Sequence, residues 1–137
     1  MIRIAILYAV AFSAIIAVAD AGWLPHIAER IHDLPHCDKV LHFAMYGLLA
    51  LVTNLALLSN TRWPTLGTIV LGTTAVLIVA TVEEYSNQFV AVRDYSLGDL
   101  AANYLGILVI GVLPLIPRLV AARDAAAHES ATPPVAQ

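Results

Sequence analysis

The chain has 137 residues, 60% of them hydrophobic and only 12% charged, with a net charge of −3 and a mean hydropathy of +0.80. A water-soluble domain carries roughly 25% charged residues, so the composition excludes a soluble globular domain and points to an integral membrane protein. A single cysteine excludes an internal disulfide framework, and the slight negative charge gives no footing for nucleic acid.

Arg3 is followed by an uncharged run, residues 4–19, that closes at Asp20. At 1.5 Å per residue it reaches roughly 24 Å, short for a bilayer core but workable with its flanks. Arg3, the apolar run and Ala19-Asp20-Ala21 also mimic the three regions of a signal peptide. Either reading starts the chain inside and puts Asp20 outside. Residues 20–38 alternate apolar and polar positions at helical spacing, with Trp23 and Pro25 at the start and Pro35 to stop the pattern. This predicts a short helix lying in the membrane interface.

The second span is read over 40–58, the third over 66–82 and the fourth over 97–116, joined by a tight turn around Arg62-Trp63-Pro64 and by a polar segment from Glu83 to Ser96. Thr68, Thr73, Thr74 and Thr81 can bond the backbone of their own helix. The predicted fold class is therefore an all-α membrane protein of four transmembrane helices with a short interfacial helix between the first two. Residues 1–117 form its membrane domain. The tail, 118–137, has no core-forming pattern and is expected to be disordered and cytoplasmic. Arg3, Arg62, Arg118 and Arg123 flank the spans on one side, against Arg30, Lys39 and Arg93 on the other. This bias, although slight, places both termini in the cytoplasm.

Alternation of the spans gathers polar residues at one end whatever the absolute orientation. Of the ten acids, eight (Asp20, Glu29, Asp33, Asp38, Glu83, Glu84, Asp94, Asp99) fall on the side opposite the termini. Asp38, His42 and Tyr46 are spaced four apart, with Lys39 beside them, and so share one broad helix face. Asp99, Asn103 and Gly106 recur on one face of the fourth span, with Asn103 roughly 9 Å inside it. Intramembrane carboxylates are costly and call for partners. Lys39, His42 and Arg93 are the candidates, and Gly106 would let a neighbouring helix approach. His42 and Glu84 should lie level with each other on antiparallel neighbours.

The acids outnumber Lys39 and Arg93, which a purely structural clasp does not require. Asp38 and His42 can point at one ion with Glu83 or Glu84 as a third ligand, but no HxxH or HExxH occurs and no metal or other cofactor is assigned. Nucleophilic catalysis finds no support: Ser86 and Ser96 lack an elbow motif, and Cys37 neighbours an acid rather than a base. Phosphate recognition by Lys39 and Arg93, with His42 and Glu84 or Asp99 as orienting or proton-donating groups, is chemically sensible. Asp38, Tyr46, Gln88, Asp94 and Asn103 would complete the binding set.

Taken together, Asp38-Lys39-x-x-His42-Phe43-x-x-Tyr46, Glu83-Glu84-x-x-x-Gln88-Phe89, Arg93-Asp94 and Asp99-x-x-x-Asn103-x-x-Gly106 resemble the VanZ-like family over residues 38–106. The resemblance implies a small multi-helix protein of the bacterial cytoplasmic membrane. The family takes its name from a protein associated with low-level resistance to the glycopeptide teicoplanin, and it brings no mechanism with it. Three functions follow as expectations. The first is a site for the head group of a membrane lipid or lipid-linked envelope precursor. The second is a non-catalytic bundle that docks into an envelope protein complex. The third is a proton- or cation-responsive element. An open cleft favours the first, complete mutual pairing the second, and a continuous polar path from Asn103 toward Asn54 the third.

Overall fold

The structure, a computed structural model, describes residues 2–20, 37–62, 64–90 and 95–131. The expected interfacial helix, Trp63 and the Arg93-Asp94 pair lie outside them. The elements are α1 (Ile2–Asp20), α2 (Cys37–Asn60), α3 (Thr65–Ser86), α4 (Leu97–Ile110) and α5 (Ile116–Ala131), with short 3-10 turns at Asn87–Phe89 and Leu113–Leu115. Among the described residues, three stretches are long and apolar enough to cross a membrane: Cys37–Asn60, Thr65–Phe89 and Leu97–Asp124. α1 is a shorter apolar helix, Ile2–Val18. Among the described residues the result is an all-α bundle of four helical segments, α4 and α5 together forming the last, in which α2 is central, packing against α1, α3 and most extensively α4.

These segments are helical because they are uninterrupted apolar runs, and a backbone in lipid must satisfy its own hydrogen bonds. Their apolar side chains point outward as well as inward. Leu41, Val70, Val79 and Leu105 are exposed on the bundle surface, as expected where the solvent is hydrocarbon. The buried centre is small: Phe12 of α1, Tyr46, Leu49 and Ala50 of α2, Val76 and Ala80 of α3, and Ile107 of α4. Phe12 meets Tyr46 edge-on, ring centroids 4.9 Å apart, and Tyr8 donates to the Met45 carbonyl at 3.0 Å. These contacts seat α1 on α2.

The α2–α4 contact is tight at Gly106. A Cβ built there would lie 2.0 Å from the Phe43 carbonyl oxygen. Glycine is what permits the two backbones to touch, the usual device for holding helices together in lipid.

Two departures from the sequence reading concern the C-terminal part. The fourth span is not one helix: α4 ends at Ile110 and the chain tightens through Leu113–Leu115 before α5 begins. Pro114 has no N–H, and Leu115 donates to Val112 at 2.9 Å in place of a full helical turn. The tail expected to be disordered after Arg118 instead continues as α5 to Ala131. Absence of a core pattern argued against burial, whereas Ala121, Ala122, Ala125, Ala126 and Ala127 are strong helix formers that need none. Arg118 also donates to the Thr65 hydroxyl, tying the start of α5 to the start of α3.

A candidate polar site at one end of the bundle

Three helix ends meet where the polar residues gather: the start of α2, the end of α3 and the start of α4. Lys39 of α2 bridges to Asp99 of α4 at 3.2 Å. The stem of Lys39 crosses Gly98, where an added Cβ would come within 2.9 Å of its Cε. One turn deeper, His42 Nδ1 lies 3.0 Å from Asn103 Oδ1. His42 Nε2 faces the Asp38 carboxylate at 3.6 Å, as the four-residue spacing requires. One turn deeper again, the Tyr46 hydroxyl donates to Glu83 of α3 at 3.0 Å.

Glu84 closes the third side. It is only 1% exposed, and its Oε1 accepts the Ser96 backbone N–H at 2.8 Å. Ser96 is the N-cap of α4, and its hydroxyl accepts from the Asp99 N–H at 3.3 Å. A carboxylate at the positive end of a helix is favourably placed. Glu84 thus fixes where α4 begins, and through that the positions of Asp99 and Asn103.

The expected neighbours His42 and Glu84 are not each other's recorded partners. His42 lies against Asp38, Asp99 and Asn103, while Glu84 is committed to Ser96. It is Glu83 that reaches α2, through Tyr46. Gln88 is exposed and donates to the Tyr85 carbonyl at 2.8 Å, whereas the adjacent Asn87 is buried. Two buried polar atoms at this end have no hydrogen-bond partner among the described residues: Glu84 Oε2 and Asn103 Nδ2. Ligand atoms of Asp38, His42 and Asp99 all lie within 4.8 Å of one another, a donor set able to hold a metal ion.

No family model, curated protein or solved structure matches this chain. The site is therefore read from its own chemistry.

Three residues hold roles that sequence reasoning did not assign them. Asn87 differed from Gln88 by one position, and only the 3-10 turn decides which points inward. Ser96 had a legible signal, since Ser96-Leu97-Gly98-Asp99 has the spacing of a helix N-terminal capping box. Asn54 lies at the other end of the buried layer. It is fully buried and donates to Thr73 Oγ1 at 3.1 Å and to the Gly111 carbonyl at 2.8 Å.

The Lys39–Asp99 bridge is weak for stability because the Lys39 side chain is 45% exposed. Asp99→Asn keeps an acceptor for Lys39 and removes an intramembrane charge. Thermal unfolding in detergent is expected to register a change of about 1 kcal/mol or less. A larger loss would mean that Asp99 neutralises more than Lys39.

Proposed function

We propose that this chain is a VanZ-like protein of the bacterial cytoplasmic membrane that holds the phosphorylated head group of an envelope lipid or lipid-linked cell-wall precursor. The residue pattern over 38–106 supports the family reading. The observation that carries the binding reading is the layering of the site. The Lys39 and Asp38 side chains are 45% and 47% exposed, in front of Asp99 at 13% and His42 at 16%. An exposed ammonium resting on one carboxylate oxygen can exchange that acceptor for a phosphate oxygen. Asn103 Nδ2, a donor without a partner among the described residues, adds neutral hydrogen-bonding capacity behind it. Arg93, outside the described residues, is the second cation that the sequence offers.

A second reading, a non-catalytic bundle that docks in an envelope complex, draws support from pairing. Lys39, His42, Glu83 and Glu84 each have a partner within the chain. The continuous polar path of the third reading loses support, because Ala50 and Ile107, one turn from Asn54 and Asn103 on their own helices, are fully buried apolar residues.

Mass spectrometry of lipids retained through purification separates the first two readings. Wild type is expected to keep a phosphate-bearing lipid. Lys39→Ala should lose it by about tenfold or more, the worth of one hydrogen bond to a charged group at ~1.5 kcal/mol. An unchanged lipid complement in a folded Lys39→Ala variant favours the docking bundle.

Orientation follows from the basic flanks. With both termini cytoplasmic, Ser86→Cys in a Cys37→Ser background should react with an impermeant thiol reagent added outside intact cells. Labelling only after permeabilisation would invert the assignment.

A further inference from the structure

We propose that Asp38, His42 and Asp99 bind one divalent transition-metal ion, of the zinc or manganese type, between α2 and α4. The inference does not rest on the head-group reading. Its ligand atoms lie within 4.8 Å of one another, and Asp38 Oδ1 and His42 Nε2 are 3.6 Å apart. Two ligands on a tetrahedral ion with bonds of ~2.1 Å are separated by about 3.4 Å, so this pair is already near coordinating distance.

The second observation is the residue behind the imidazole. Asn103 is fully buried, and its Oδ1 lies 3.0 Å from His42 Nδ1. A carbonyl oxygen there can only accept, so Nδ1 carries the proton, and in the neutral ring the Nε2 lone pair faces Asp38 and Asp99. A lone pair facing carboxylates is repulsive unless a cation lies between them. Metal-bound histidines are held this way, with the outer ring N–H donated to an oxygen that fixes the tautomer. Asn103 Nδ2 has no partner among the described residues. A buried carboxamide left half-satisfied is costly, and a fixed ring orientation for His42 is what this one provides. One imidazole with two carboxylates suits zinc or manganese better than the all-oxygen preference of magnesium or calcium.

Lys39 is the competitor. Its ammonium rests 3.2 Å from Asp99 Oδ1, where an arriving ion would coordinate, and its exposed side chain is free to swing away. This gives the site a signature that a merely structural cluster lacks: removing Lys39 should tighten metal binding.

The test uses the full chain in detergent, stripped with chelator and dialysed against Zn²⁺ alone, with bound metal counted by elemental analysis. The other four histidines, His26, His32, His36 and His128, are first replaced by alanine to silence other imidazoles. The expected result is one saturable Zn²⁺ per chain. His42→Ala should abolish it, Asn103→Ala should weaken it by ~10–100-fold, and Lys39→Met should strengthen it. Circular dichroism identifies any variant that fails to fold, and Lys39→Met retains every ligand. Absence of saturable Zn²⁺ binding in the parent would overturn the proposal. So would binding indifferent to His42, or binding weakened by Lys39→Met.

Discussion

Gly106→Ala is expected to cost about 3 kcal/mol or more, the upper range for forcing volume into a packed contact. The added Cβ would fall 2.0 Å from the Phe43 carbonyl oxygen and 2.8 Å from its carbon. Both are backbone atoms that no rotamer change can move. α2 and α4 would have to separate, and the links that depend on their approach lie close by: His42–Asn103 at 3.0 Å and Lys39–Asp99 at 3.2 Å. The variant should therefore lose stability and whatever the polar end binds together. Gly67→Ala is the control, since nothing lies within 4 Å of a Cβ there. Equal thermal stability of the two variants in detergent would mean that α2 and α4 are further apart than described.

The second large effect belongs to Asn54. Where the chain tightens before Pro114, the Gly111 carbonyl is not taken up by Leu115, which donates to Val112 instead. Asn54 Nδ2 supplies the missing donor at 2.8 Å and also reaches Thr73 at 3.1 Å. One side chain of α2 thereby joins α3 and the end of α4, satisfying a backbone group that lipid could not. Asn54→Leu keeps much of the shape and removes both bonds. At ~0.6–1.7 kcal/mol for each interhelical hydrogen bond, the expected loss is about 1–3 kcal/mol. Thr73→Val removes one of the two and should cost less. Unfolding by denaturing detergent, followed by circular dichroism, ranks them, and the reverse order would place the strength of the tie at Thr73 rather than Gly111.

The helices were legible because each is an apolar run bounded by charge or proline. The assembly of the polar end was legible for a topological reason: antiparallel spans must return Asp38, Glu84 and Asp99 to one level. Gly106 was legible as a point of close approach. The orientation of neighbours in sequence was not. Adjacent helical residues point about 100° apart, and two consecutive glutamates offer no clue to which turns inward. The structure bonds Glu84 to Ser96 and Glu83 to Tyr46, while His42 is bonded to Asn103 and faces Asp38 and Asp99. Asn54 was illegible as a tie because its role depends on a carbonyl released by a local tightening at Pro114. The helix at 116–131 was missed because hydropathy reports burial, and an alanine-rich segment can be helical without it.

Head-group recognition at Lys39 is tested most directly by native mass spectrometry with two lipids that differ only in the phosphate. Phosphatidic acid and a diacylglycerol of the same chains are titrated onto wild type and onto Lys39→Ala. Wild type should bind phosphatidic acid more tightly than diacylglycerol, by about tenfold or more, and the preference should fall by about tenfold in Lys39→Ala. Equal binding of the two lipids by folded wild-type protein, or a phosphate preference undiminished by loss of Lys39, would contradict a head-group site at this end of the bundle.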